Sequence, residues 1–197
     1  MNSSPDTRYT LIGKLQDPRD AEAWSEFSTI YQPIIFRIAR TRGLQHADAT
    51  DVTQEVLARV AVAIEKFDGN QPGATFRGWL YRMTRNLVVD HLRARNRDPI
   101  AGAADHVDHA PATDPSRDES TEFHREYQRQ IFVIAAEVVR QQVQPQTWQA
   151  FWLTEVDRVP VADVAKQLGL STGAIYVARS RVLARLKIVA ETHVQES

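Results

Sequence analysis

FRGWLYRMTRNLVVDHLRARNR, residues 76–97, carries two interleaved helical patterns. Phe76, Trp79, Leu80, Met83, Leu87, His91 and Leu92 recur in steps of three and four, the spacing of one apolar helix face. Arg82, Arg85, Asn86, Asp90, Arg93 and Arg97 form a second stripe on the same period. The first stripe can enter a core. The second offers guanidinium groups, an amide and a carboxylate, the side chains that grip phosphates and read base edges. A merely solvated basic face is the competing reading, and the rest of the chain decides between them.

Upstream, the sequence reads as helix throughout. Trp24, Phe27, Tyr31, Ile34, Ile35 and Ile38 make one apolar stripe, in which Pro33 is expected to kink or interrupt the helix. Gly43 marks its end. Val52, Val56, Val60, Ala63, Ile64 and Phe67 make a second stripe, and the run from Asp68 through Gly69, Asn70, Pro72 and Gly73 is a loop signal. On the second helix Asp48, Asp51 and Glu55 share a face, with Gln54 beside them. Three acids could hold a metal, but hard cations want convergent oxygens, usually from a loop. An exposed straight face suits docking to a basic partner better.

Downstream, residues 96–122 carry Pro99, Pro111, Pro115 and Gly102 and no apolar periodicity. Such a segment cannot bury enough surface to offset the entropy of ordering, so it reads as a flexible acidic linker. It divides the chain into domains at 1–95 and 123–197. In the second, Tyr127 to Val143 is periodic and ended by Pro145, and Thr147 to Val156 carries Trp148, Phe151 and Trp152. Residues 161–186, VADVAKQLGLSTGAIYVARSRVLARL, read as a helix-turn-helix. Pro160 sits at the first turn of a short helix, Gly169 supplies a left-handed turn, and Ser171 caps a helix running to about Val189. In a major groove the second helix would present Ser171, Thr172, Gly173, Tyr176, Arg179 and Ser180 to base edges, with Arg181, Arg185 and Lys187 near phosphates. The fold class is all-α: two small helical domains on a flexible linker.

Net charge is −1, yet its distribution is uneven. Between Asp98 and Glu122, the acids Asp98, Asp105, Asp108, Asp114, Asp118, Glu119 and Glu122 face a single Arg117, so the rest of the chain is basic on balance. There is no cysteine, which excludes disulfides and thiolate zinc sites. His106 and His109 lack further ligands around them, so no metal or cofactor is implied. No apolar run approaches the roughly 18 to 20 residues that span a bilayer, and the first residues lack a signal pattern. A cytoplasmic location without membrane insertion is the expectation. Nothing resembles a nucleophile elbow, a phosphate-cradling loop or a zinc-protease helix, so a non-enzyme is expected. A nuclease built on Asp48, Asp51 and Glu55 would need a divalent metal.

In this order the pieces resemble the bacterial RNA polymerase sigma factors of the extracytoplasmic-function (ECF) group. DATDVTQEVLARV, from Asp48, looks like that group's region 2.2. FRGWLYRMTRNLVVDHLRAR resembles regions 2.3 and 2.4, and VADVAKQLGLSTGAIYVARSRVLARLK resembles region 4.2. The resemblance implies a promoter-specificity subunit whose partners are core RNA polymerase, through the clamp coiled coil of the largest subunit and the flap of the second-largest, and promoter DNA. An anti-sigma factor is a further partner open to such a protein. The polymerase contact falls to Asp48, Asp51, Gln54 and Glu55. The −10 element falls to Trp79, Arg82, Arg85, Asn86, Asp90 and Arg93, with the loop before Phe76 and residues Asn86, Asp90 and Arg93 capturing an extruded base. The −35 duplex falls to region 4.2. There many members carry a basic residue and, two positions on, an arginine; this chain has Tyr176 and Ala178, with Arg179 about 100° further round the helix. A free-standing helix-turn-helix regulator, binding operators without polymerase, is the alternative.

Overall fold

A computed structural model describes residues 8–67, 75–96 and 116–196, and every described element is helical. The chain forms two compact units, and the division between them falls after Gln130.

The first unit is built on three long helices, each packed against the other two: α2 (Ala21–Thr41), α3 (His46–Ala63) and α4 (Phe76–Asn96). Ahead of them α1 (Arg8–Leu15) lays Leu11 and Leu15 against α2. Asp20 caps α2 by accepting the Ala23 N–H at 2.9 Å, satisfying one of the helix's orphan donors. The helix ends as expected at Gly43, whose φ of +96° only glycine adopts freely. There Gly43 N–H donates to the Arg40 carbonyl and Leu44 N–H to that of Ala39. The apolar face of α3 is buried through Ala49, Val52, Val56 and Val60, and a 3₁₀ turn (Ile64–Lys66) extends it. The loop expected from Asp68 to Gly73 lies outside the described residues.

Pro33 does not interrupt α2, which runs unbroken past it. Its missing N–H frees the carbonyl four residues earlier, that of Thr29. The Gln130 side chain, nearly 100 residues further along and 6% exposed, donates to that oxygen at 3.1 Å. Gln130 also accepts two guanidinium N–H groups of Arg37 at 3.2 Å. The helix survives because a distant amide replaces the bond that proline removes.

Gln130 lies on α5 (Ser116–Gln142), which corrects two expectations. Helix begins at Ser116, inside the segment expected to be linker as far as Glu122. Residues 123–130 belong to the first unit and not to the second. Phe123 and Tyr127, each 2% exposed, pack on Tyr31 at 6.3 and 6.1 Å between ring centroids, and Phe123 meets Tyr81 edge-on. Around them Arg37 pairs with Glu126 at 2.6 Å and Arg42 with Glu122 at 2.7 Å. Each buried aromatic ring contributes about 2–3 kcal/mol of apolar burial, whereas the ion pairs beside it, 16–34% exposed, lose much of their gain to desolvation. The rings therefore hold this segment and the ion pairs fix its register.

The second unit contains the remainder of α5, then α6 (Pro145–Phe151), a π-helical turn (Trp152–Val156), α7 (Val161–Leu168) and α8 (Thr172–Glu196). One core joins Ala135, Ala136 and Val139 of α5 to Phe151, Val182 and Leu186. A second joins Ala150, Val164, Ala165, Ile175 and Ala178, and this one is the interior of the helix-turn-helix. Gly169 takes φ +65°, and Ser171 accepts the Ala174 N–H at 3.1 Å, so both turn signals act as read. Three boundaries shift. Pro145 opens α6 as well as closing α5, Pro160 is the residue before α7 rather than inside its first turn, and α8 continues beyond Val189 to Glu196.

Candidate functional site

Three surfaces carry the polar residues singled out by sequence. On α4 the anticipated apolar stripe faces inward: Phe76, Leu80 and Leu87 are buried, and Trp79, Met83, His91 and Leu92 are partly covered. A second inward stripe, Tyr81, Thr84 and Val88, escaped the periodicity reading because α4 is covered on a further side. Thr84 is tolerated in the core because its hydroxyl donates to the Leu80 carbonyl at 2.9 Å. That burial confines the polar residues to one narrow exposed ridge. Arg82, Asn86, Asp90 and Arg93 all lie on it, while Arg85 is half-buried at its side. The Trp79 ring rests on Phe67 and Phe76 at 5.4 and 5.5 Å, so its inner face is occupied and only an edge or outer face is open to a ligand.

The acidic face of α3 stands beside α4. Asp51 and Gln54 are exposed, and Asp48 and Glu55 are partly covered. Glu55 pairs with Arg59 at 2.7 Å and lies 3.8 Å from His91 Nε2; Asp48 lies 3.9 Å from Arg95. Cations at both ends thus hold the two outer acids, leaving Asp51 and Gln54 between them. Gln54 also borders a shallow depression of about 270 Å³ with Gln32, Pro33, Phe36, Thr50 and Thr53. These acids do not converge: among the described residues no group of three or more histidines and carboxylates could hold a metal ion. His106 and His109 lie outside the described residues. Also among the described residues, no helix is long and apolar enough to cross a membrane.

In the second unit the first turns of α8 are open. Thr172, Gly173, Tyr176, Ser180, Arg181 and Arg185 are exposed, and Lys187 beyond them is exposed too. Ser171 is exposed, but its oxygen is committed to the cap. Arg185 reaches back to the Gln142 carbonyl at 3.3 Å. Ala178 is turned into the helix-turn-helix core, so that position could not have read DNA in this helix. Arg179 was expected among the exposed readers and is instead half-buried, ion-paired with Glu155 of the π turn. Sequence reasoning missed Glu155, since nothing local links a carboxylate to an arginine 24 positions later. An open apolar groove of about 550 Å³ crosses the same unit, lined by Phe132, Val133, Trp148, Trp152 and Leu153.

Residues 28–98, from within α2 through α4, match the protein family described as Sigma-70 region 2. A curated relative, "ECF RNA polymerase sigma factor SigE" of Mycolicibacterium smegmatis, is 29% identical over 181 residues, 91% of this chain and 65% of its own. "ECF RNA polymerase sigma factor SigW" of Bacillus subtilis is 35% identical over 80 residues, 40% of this chain and 41% of its own. The chain thus spans less than two thirds of the length of these relatives. Among solved structures, that of CnrH in complex with the cytosolic domain of CnrY shares 20% identity over 95% of this chain and 99% of its own, at a TM-score of 0.39. The polar ridge of α4 thus lies within the stretch that matches Sigma-70 region 2. More narrowly, the curated relatives that the chain resembles are named as ECF RNA polymerase sigma factors.

Proposed function

We propose that this chain is an alternative sigma factor that joins core RNA polymerase and directs promoter-specific initiation, with no catalysis of its own. The observation that carries the reading is the ridge of α4. A solvated basic face would be cationic throughout, whereas this one sets Asn86 and Asp90 between Arg82 and Arg93. Amide and carboxylate groups read base edges, and flanking guanidiniums hold the phosphates on either side. Such a mixed row suits a single strand with a base turned out toward protein, the −10 element once melted. Trp79 borders this row and can stack on a neighbouring base with its free face.

In this reading the clamp coiled coil of the polymerase's largest subunit docks on α3 at Asp48, Asp51, Gln54 and Glu55. The flap of the second-largest subunit docks on the second unit, where the apolar groove is the surface suited to a protein helix. The start of α8 enters the −35 major groove, with Thr172, Gly173, Tyr176 and Ser180 toward the bases and Arg181 and Arg185 toward phosphates. An operator-binding regulator would have no use for the acidic face of α3. The action is cytoplasmic, alongside the polymerase.

In vitro transcription with core polymerase and a genomic promoter library tests the proposal. The expected result is initiation from a subset of promoters sharing two upstream elements. Tight operator binding by the protein alone, with no association with core enzyme and no new start sites, would overturn it.

A further inference from the structure

Arg179 lies two turns into α8, and its charge is already used. Its Nη2 pairs with Glu155 Oε1, and the two side chains are only 27% and 24% exposed. Its Cζ lies 5.5 Å from the centroid of the Tyr176 ring, which is itself 56% exposed one turn earlier. A guanidinium over an aromatic face is attracted by the ring's quadrupole, and it stiffens whichever partner is otherwise free. The order of restraint therefore runs from Glu155 to Arg179 to Tyr176.

Glu155 is itself well anchored. Its turn is π-helical, with Asp157 N–H donating to the Trp152 carbonyl and Val159 N–H to that of Leu153. The neighbouring Thr154 is buried and donates to the Ala150 carbonyl at 2.7 Å. Ala150 shares the core that holds Ile175 and Ala178 of α8, so the carboxylate and the reading helix are fixed to one body. Single-turn π segments often mark functional positions, and here the wider turn carries the carboxylate that meets Arg179.

We propose that Glu155 is a specificity-determining positioning residue of the DNA-reading surface. It keeps Arg179 off the phosphates and, through it, sets the Tyr176 ring against one or two base pairs of the duplex element. This rests on the reading that α8 enters duplex DNA. The tyrosine supplies apolar contact, as to a thymine methyl, while the paired arginine adds selectivity without adding free charge.

The test uses holoenzyme reconstituted from core polymerase and the full chain, scored on a promoter library randomised across the −35 element. Y176A, R179A and E155A should each flatten the preference at the same one or two base pairs, by about tenfold. The E155A/R179A double variant should be no flatter than either single. E155Q, which keeps the length and one acceptor oxygen, should recover part of the preference. E155A should also bind element-scrambled duplex more tightly, with a salt dependence steeper by about one counterion, because its arginine is now free. An unchanged E155A profile would overturn the proposal, and so would R179A flattening positions that E155A leaves alone, the mark of an arginine reading bases directly. Uniform loss across the element together with weaker folding of residues 131–196 would reduce Glu155 to a structural role. A wild-type profile with no −35 preference would sink the DNA-reading assignment itself, a different result from any of these.

Discussion

Replacing Gln130 with leucine isolates the bond that lets α2 pass through Pro33. Leucine fills nearly the same volume, so packing is largely kept while the polar contacts go. The lost contacts are the 3.1 Å bond to the Thr29 carbonyl and two 3.2 Å bonds from Arg37. Arg37 retains Glu126 at 2.6 Å, and its guanidinium can take up water. The Thr29 carbonyl has no helical N–H to turn to. With a net value of about 0.5–1.5 kcal/mol for such a bond, and a smaller share from Arg37, the substitution should cost about 1–2 kcal/mol. The two compact units make a single unfolding transition unsafe to assume, so the assay is native-state hydrogen exchange of α2 peptides, which reports the first unit by itself. Protection there should fall about five- to thirtyfold. The decisive measurement is a cycle with P33A, which restores the N–H and lets Thr29 bond within its own helix. In that background Q130L should cost less by about 0.5–1.5 kcal/mol. An equal cost in both backgrounds would refute the claim that Gln130 serves the proline-freed carbonyl.

N86A and R93A, both on the exposed ridge of α4, should slow open-complex formation severalfold while leaving core-polymerase affinity unchanged in a competition assay. Equal loss of both would point to misfolding. D51K reverses charge at an exposed position on the acidic face of α3, and it should weaken core binding at least tenfold without lowering the helix content seen by circular dichroism. Retained core binding would remove α3 as the docking face. G169A forces a side chain into φ +65° and should cost about 1–2 kcal/mol. S171A removes the cap on Ala174 N–H and should cost about 1 kcal/mol. Exchange protection in the helix-turn-helix core, at Val164 and Ile175, reads both; unaltered protection would mean that neither residue holds the turn.

Much of this molecule is legible from residue order because helices advertise their buried faces locally. The stripes of α2, α3 and α4, the glycine stop at Gly43 and the turn at Gly169 and Ser171 all depend on neighbours within a few positions. What escaped depends on contacts far along the chain. Pro33 looks like a break until an amide from residue 130 is placed on Thr29. Tyr81 and Val88 look like the wrong side of α4 until other residues cover them, and Phe123 lies edge-on over Tyr81. Arg179 looks like a free reader until Glu155 is found beside it. The acidic run hid the start of α5 because composition describes solvation better than it describes where a helix nucleates. The ridge of α4 and the acidic face of α3 were readable as surfaces, but Arg95 and His91 standing near those acids were not.

The break between units inside α5 bears on how the chain can be cut. A fragment stopping at residue 96, where the acidic segment begins, would strip Phe123 and Tyr127 from Tyr31 and leave aromatic rings open to water. It would also take Gln130 from Thr29. Such a piece would tend to aggregate whatever its intrinsic ability to bind polymerase, and its failure would be mistaken for a functional result. A fragment carried through Gln130 keeps its own lid and is the smallest piece on which the first unit's binding can be judged fairly.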